Sequence, residues 1–140
     1  MVLPDVNVLV HAHRADSTGH RVCRAWLTET VSSDRAYGMS ELVVSAFVRI
    51  VTHPAIFNPP TPLNQAFAFA ADVLDREHCV RVSPGPRHWD IFSRLCREAA
   101  VKGNLVTDAY FAALAIESGC EWISTDGDYA RFGGLSWRRP

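Results

Sequence analysis

The 140-residue sequence predicts an α/β fold with three layers, α/β/α, around a central parallel sheet. Short β-branched runs alternate with longer segments whose apolar residues recur at helical spacing, and this alternation is typical of parallel sheets covered by helices. Apolar residues make up 48% and charged residues 21% of the chain, which is the composition of a globular protein. A chain of this length fits one domain, so we expect residues 1–140 to form a single domain.

The first third of the chain contains three predicted elements. Val2–Val10 is a β-branched run with a few interruptions, and it predicts a buried strand that ends near Asp5. Apolar residues at helical spacing predict a helix over His20–Val31. Tyr37–Met39 is short and predicts a brief strand or turn.

A second helix is predicted to follow directly. Ser40 is a suitable N-cap, and Glu41 then lies in the first turn of a helix that runs to about Thr52. Pro54–Pro62 contains four of the eight prolines, which indicates a connector. The residue before a proline avoids helical backbone angles, so we expect the helix to end before this connector.

The middle of the chain continues the alternation. Leu63–Arg76 has helical periodicity, Cys79–Val82 predicts a short strand, Pro84–Pro86 predicts a turn, and Arg87–Val101 predicts another helix.

The last helix is predicted to start at Thr107 or Asp108 and to stop at Gly119. Three further segments are predicted as a strand, a turn and an edge strand: Trp122–Thr125, Asp126–Asp128 and Leu135–Trp137.

Four carboxylates stand where apolar runs end: Asp5, Glu41, Asp108 and Asp126. Residues at the carboxyl ends of parallel strands meet in one crevice, so we expect these acids to gather there. Gathered carboxylates raise one another's pKa, and a bound cation relieves that repulsion. Oxygen-only ligands favour Mg²⁺ or Mn²⁺ over zinc. The four acids therefore predict a site for metal-assisted phosphodiester hydrolysis.

Each acid also has a purely structural interpretation. Glu41 and Asp108 could complement helix dipoles, which is worth about 0.3–1 kcal/mol. Asp126 and Asp128 could form the turn that an Asp-Gly pair favours. Asp5 is harder to explain in this way, because an acid inside an apolar strand is costly to bury unless it is paired or binds metal.

Two polar residues are predicted to orient these acids. Asn7 would lie on the same side as Asp5 if the strand continued, where it would hydrogen-bond Asp5 or a water at the metal site. The hydroxyl of Thr125 would hold a neighbouring carboxylate. Asn7 serves equally well as the polar cap of a turn, and Thr125 equally well as a partner for backbone groups alone.

The charge balance limits how the protein holds a polyanion. The formal net charge of −1 means that nucleic acid must be held by a local basic patch or through metal ions. Lys102 is the only lysine. Arg14, Arg49 and Arg131 are candidates for phosphate contacts, although each serves equally as a solvated surface charge.

Several classes of protein are not indicated. The four cysteines form no C-x-x-C pair, and we expect them to be reduced in a cytoplasmic protein. The N-terminus lacks the features of a signal peptide, and no apolar stretch approaches the roughly 20 residues of a membrane span. No Walker A, G-x-G-x-x-G or G-x-S-x-G pattern is present.

The order and spacing of four segments indicate a protein family. These segments are LPDVNVLVHAHR, SELVVSAFVRIVTHP, NLVTDAYFAALAIESG and STDGDYARFGGLSWRRP. Together they resemble PIN-domain proteins, and in particular the VapC-type toxins of bacterial toxin–antitoxin pairs. The resemblance covers nearly the whole chain.

The resemblance implies a three-layer fold and an Mg²⁺- or Mn²⁺-dependent endoribonuclease that inhibits translation and growth. It also implies a homodimer that forms a heteromeric complex with a VapB-type antitoxin, whose C-terminal tail covers the acidic cleft. The family's metal ligands correspond here to Asp5, Glu41, Asp108 and Asp126, with Asp128 as a further acid. Metal at Asp5, Asp108 and Asp126 would activate water, and Glu41 would complete the ligand set or position that water.

Three alternatives remain open from the sequence. The first is a non-catalytic module that binds RNA or the antitoxin. The second is a haloacid-dehalogenase-like phosphatase with Asp5 as nucleophile, which wants a second aspartate where this chain has Asn7. The third is a flap-type DNase, which normally needs a longer chain.

Overall fold

The computed structural model describes all 140 residues. Five short strands alternate with helices: β1 (Val2–Pro4), β2 (Tyr37–Met39), β3 (Cys79–Arg81), β4 (Glu121–Ile123) and β5 (Trp137–Arg138). Six α-helices account for half of the chain: α1 (Val6–His13), α2 (His20–Ser32), α3 (Glu41–Val51), α4 (Leu63–Leu74), α5 (His88–Glu98) and α6 (Asn104–Ser118). A 3₁₀-helix spans Gly127–Arg131. The predicted α/β class with parallel strands is confirmed.

All strand pairs are parallel, but the hydrogen-bonded sheet is in two parts. One part has the order β1-β4-β5 and the other pairs β2 with β3. Leu3 lies opposite Trp122 in the first part, and Gly38 lies opposite Val80 in the second. The two parts pack side by side at Gly38, where an added Cβ would lie 3.3 Å from the carbonyl oxygen of Val2. The predicted central sheet is therefore present, with a seam between β1 and β2.

The first strand is shorter than its sequence predicts. The prediction of a strand over Val2–Val10 is wrong beyond Pro4, because α1 begins at Val6 with Asp5 as its N-cap. The Asp5 side chain accepts a hydrogen bond from the backbone N–H of Val6 at 2.6 Å. β-branched residues favour strands only weakly, and burial of one face can override that preference.

The last helix starts earlier than predicted. It begins at Asn104 rather than at Thr107 or Asp108, so Asp108 lies in its second turn. Its predicted end is confirmed, because Gly119 follows the last helical residue with a φ of 67°, an angle that favours glycine.

The other predicted helices are confirmed, with small differences at their ends. Ser40 caps α3 as expected, since its side chain accepts a hydrogen bond from the N–H of Leu42 at 3.3 Å. The predicted edge strand is displaced toward the C-terminus, to Trp137–Arg138, and it pairs with β4.

A single cluster of 30 buried apolar residues forms the core. Helix α1 contributes Val8, Leu9 and Ala12, and the strands contribute Leu3 and Trp122, all with no exposed surface. No helix has the length and apolar character needed to cross a membrane. All four cysteines are free, and Cys23 and Cys120 are buried.

Candidate active site

A cavity of about 360 Å³ opens beside the carboxyl ends of β1 and β4. Asp5 directly follows β1, Asp126 follows β4 by a short turn, and Asp108 enters from α6. Helices α1, α3 and α6 and the turns after β1 and β4 line the cavity. The lining residues are Asp5, Val6, Asn7, Val10, His11, Ala46, Arg49, Ile50, Thr107, Asp108, Phe111 and Asp126. Three of the four predicted acids therefore line one space.

Asp5 is held by hydrogen bonds to both of its carboxylate oxygens. Its Oδ1 accepts the bond from Val6 that caps α1. Its Oδ2 accepts a bond from the Ser124 hydroxyl at 2.6 Å and another from the Asn7 side-chain amide at 2.8 Å. The residue is 5% exposed. Its side chain therefore has a defined orientation before any ligand binds.

Ser124 is a site residue that the sequence interpretation missed. It is fully buried, and its oxygen also accepts bonds from Asn7 Nδ2 and from the Asp126 N–H, both at 3.0 Å. This one hydroxyl thus links the turn after β1 to the turn after β4. A small polar residue that immediately follows a buried strand is the signal that the sequence offers for it.

Asn7 donates a hydrogen bond to Asp5, but not from a continued strand. The strand does not continue to Asn7, which lies in the first turn of α1 instead. Its side-chain oxygen accepts a bond from the Thr125 backbone N–H at 3.2 Å. Thr125 thus contributes its main chain to the network, and the hydroxyl role predicted for it is performed by Ser124.

Two carboxylates of the cavity have a perturbed pKa. Burial raises the pKa of Asp5 to about 7, and the negative charges of Asp108 and Asp126 add to this rise. Burial likewise raises the pKa of Asp108, with further contributions from Asp126 and Asp128. Hydrogen bonds from Ser124 and Val6 oppose the rise at Asp5. Acids that resist ionisation in this way favour a nearby cation.

Two predicted acids lie outside the cavity lining. The side chain of Glu41 is 79% exposed and forms an ion pair with Arg81 at 3.0 Å. Arg81 also contacts Asp75 at 3.4 Å, so Glu41 belongs to a surface cluster at the start of α3. Asp128 pairs with Arg131 at 2.8 Å. The metal role predicted for these two acids stays a prediction.

The oxygen atoms around the cavity fit a hard divalent cation. Asp5, Asp108 and Asp126 supply only oxygen, and two of them have a raised pKa. No group of three or more acidic, histidine or cysteine side chains stands close enough to enclose a metal. Mg²⁺ commonly uses one or two carboxylates and completes its shell with water and substrate oxygens. An open arrangement of this kind suits it.

Comparison with known proteins adds independent information. The model of the PIN domain family matches residues 2–135. The chain is 41% identical over 140 residues to ribonuclease VapC25 of Mycobacterium tuberculosis, covering 100% of this chain and 99% of that protein. It is 39% identical to ribonuclease VapC31 of the same organism, with the same coverage.

A solved structure has the same fold. VapBC2 from Rickettsia felis, bound to a DNA fragment from its promoter, superposes with a TM-score of 0.69 at 15% identity, covering 100% of this chain and 99% of that one.

Proposed function

This chain belongs to the PIN domain family, and we propose that it is a VapC-type endoribonuclease, the toxin of a toxin–antitoxin pair. It hydrolyses RNA phosphodiester bonds and thereby inhibits translation and growth. The full-length relatives that are named ribonucleases support this activity. Asp5, Asp108 and Asp126 are the residues that we propose to hold Mg²⁺ or Mn²⁺, with Glu41 and Asp128 as further candidates.

The observation that carries the proposal is the convergence of three carboxylates on one cavity at the sheet edge. Two of them have a raised pKa, so the cavity favours positive charge. A divalent cation held by these carboxylates would lower the pKa of water, offset the negative charge that develops on a phosphate during hydrolysis, and screen the acids from the RNA backbone.

The protein's own contribution is a rigid arrangement of donors and acceptors. Ser124 and Asn7 fix the Oδ2 of Asp5, and the N-terminus of α1 fixes its Oδ1. Ser124 also accepts the N–H of Asp126 and so sets where the second turn begins. Groups fixed in this way need little reorganisation when a substrate phosphate enters.

One position in the sequence argues against the phosphatase alternative. Residue 7 is Asn, so no second acid lies two positions after Asp5.

We propose a VapB-type antitoxin as the protein partner. The names of the VapC relatives support this partner. The resemblance to VapC-type toxins implies that each toxin of this type has such an antitoxin. The homodimer that the same resemblance implies stays a prediction.

The proposal is tested by incubating antitoxin-free protein with total cellular RNA in Mg²⁺ or Mn²⁺, and in EDTA. We expect discrete cuts that require metal. Asp108→Asn removes one charge and keeps the side-chain shape, and it should slow cleavage by about 100-fold or more, the scale seen when one group that stabilises the transition state is removed.

Asp34→Asn is the matched control, because Asp34 is an exposed acid with no side-chain hydrogen bond or ion pair and does not line the cavity. It should cut at the wild-type rate. Equal loss in both variants, or cleavage that persists in EDTA, would contradict the assignment. If folded wild-type protein binds RNA but leaves it uncut under every condition, the non-catalytic binding module is correct.

A further inference from the structure

One positively charged side chain lines the cavity. Among all the lysines and arginines, Arg49 alone lines it, from the last turn of α3. The carboxylates enter from the turns after β1 and β4 and from α6. Three acids and one arginine therefore border the same space of about 360 Å³.

Arg49 is free, unlike the other two arginines that the sequence singled out. Arg14 is held by Asp16 at 2.6 Å and lies over the ring of Phe57. Arg131 is held by Asp128 at 2.8 Å. The Arg49 side chain is exposed and has no ion pair or hydrogen bond in the structure.

The helix explains this freedom. Neighbours on a helix surface are three or four residues apart, and an acid at such a position pairs with an arginine. Arg94 has Glu98 in that position, at 2.8 Å. Around Arg49 these positions hold Ser45, Ala46, Thr52 and His53, so its charge has no partner on its own helix.

His11, which also lines the cavity, does not supply a second cation. Its Nδ1 bonds to the Ser17 hydroxyl, and its ring packs against Gly19. Burial lowers the pKa of His11 and so disfavours the charged form of the ring. The unpaired positive charge that lines the cavity is therefore the guanidinium of Arg49.

We propose that Arg49 is a substrate-binding residue that holds a backbone phosphate of the RNA beside the bond to be cut. This inference rests on the ribonuclease function proposed above. RNA must approach a cavity with three carboxylates in a protein with a net charge of −1. A guanidinium presents several N–H donors in a planar fork that matches phosphate oxygens. Arg49 thus draws the polyanion to the acids and sets its position.

The test uses Arg49→Gln, which removes the charge but keeps a long polar side chain. The matched control is Arg97→Gln. Arg97 is also exposed, is also the basic residue in the last turn of an 11-residue helix, and also has no partner, but it lies outside the cavity. Both variants lose the same favourable interaction with a helix C-terminus.

Cleavage of total cellular RNA is measured in Mg²⁺ over a range of RNA and salt concentrations. We expect Arg49→Gln to raise KM by about 10-fold or more, the scale of one charge-assisted hydrogen bond, with a smaller change in kcat. The dependence of log(kcat/KM) on log[salt] should become shallower by about 0.7, which corresponds to one phosphate contact on a single strand. Arg49→Lys should recover part of the loss, and Arg97→Gln should match wild type.

The outcomes separate this inference from the function that it rests on. Wild-type cleavage together with equal KM and salt dependence in Arg49→Gln and Arg97→Gln would overturn the role of Arg49 and leave the ribonuclease intact. An unchanged KM with weakened retention of a co-expressed antitoxin would assign Arg49 to the protein partner instead. Absence of cleavage by wild type would overturn both proposals.

Discussion

At position 5 one carboxylate performs two tasks. Through Oδ1 it caps α1, and through Oδ2 it receives two hydrogen bonds from Ser124 and Asn7. Burial leaves the acid with a pKa of about 7, even though the capping bond from Val6 lowers that pKa. The same residue therefore stabilises the fold through its hydrogen bonds and destabilises it through its charge.

This conflict predicts an effect of pH on the stability of the metal-free protein. The folded pKa of Asp5 is about 7 and the ordinary value is 3.8. Below the ordinary value the acid is protonated in both states. As pH rises from there toward 7, the unfolded chain releases the proton and the folded chain keeps it. Each pH unit in this window therefore lowers the free energy of unfolding by up to about 1.4 kcal/mol.

Urea unfolding in EDTA between pH 4 and pH 8 measures the effect against Asp5→Asn, which carries no charge. Relative to wild type, this variant should be more stable at pH 8 than at pH 4, by about 2–4 kcal/mol. Ser124→Ala should extend to higher pH the range over which stability falls, because the Ser124 hydrogen bond lowers the pKa of Asp5 in the folded protein. A difference between wild type and Asp5→Asn that stays constant with pH would contradict the assigned pKa.

Individual acids were more predictable from the sequence than their supporting contacts. Asp5 and Asp126 follow strands, and the rule that strand ends meet at one edge was enough to bring them together. Ser124 was not found, because a serine at a strand end is common and nothing in the sequence shows that its hydroxyl reaches the neighbouring strand. The ion pair of Glu41 was not found either, because its partner Arg81 is 40 residues away in the sequence.

At the scale of elements, the seam between β1 and β2 depends on a residue without a side chain. An added Cβ at Gly38 would lie 3.0 Å from Val82 Cγ2 and 3.3 Å from the carbonyl oxygen of Val2. The side chain of Val82 can move, but the backbone of Val2 is held in β1. Any side chain at residue 38 would therefore have to displace Val82 or the backbone of β1 for the two parts of the sheet to stay this close.

Gly38→Ala should accordingly lower the free energy of unfolding by about 1–3 kcal/mol, the range for an overpacked core. Gly133→Ala is the control, since its added Cβ would meet only the end of the Glu98 side chain, at 3.9 Å. Urea denaturation of both variants measures the difference. Equal stability of Gly38→Ala and wild type would show that the seam is looser than the distances indicate.

Element boundaries were predictable where a capping residue marks them. Ser40 marks the start of α3 and Gly119 marks the end of α6, and both were found from the sequence. The start of α1 was missed, because the valines around Asn7 read as a strand and only their burial against other helices makes them helical. The predicted start of α6 was too late for a different reason. Gly103, the residue before the helix, has no side chain that could mark its start as a cap.

At the scale of the whole molecule, the proposed binding of a divalent cation would be linked to folding. A ligand that binds only the folded state stabilises it by about 2.7 kcal/mol when its concentration is 100 times its dissociation constant. The unfolded chain disperses Asp5, Asp108 and Asp126, so a cation at this site should stabilise the native protein.

We therefore expect the Tm to rise with Mg²⁺ concentration at pH 8. The rise should be smaller at pH 5, where Asp5 is protonated because its pKa is about 7. Differential scanning fluorimetry at constant ionic strength measures both effects. Asp108→Asn should lose most of the gain, and Asp34→Asn should keep it. The same gain in all three proteins would place the cation elsewhere.

The overall class was predictable because it depends on the alternation of strand-like and helical segments along the whole chain, which survives errors at single boundaries. The division of the sheet into two parts was not predictable. It depends on how far β1 and β2 approach each other, and neither strand shows this in its own residues.

The cap at the start of α1 has a consequence for how such proteins diverge. Asparagine caps helices about as well as aspartate, and a single nucleotide change in the codon converts one into the other. A lineage can therefore lose the charge at position 5 and keep a folded molecule that still presents its other surfaces. Under the metal role that we propose for Asp5, inactive descendants that survive as binding proteins would be accessible in one mutational step, without passing through an unfolded intermediate form.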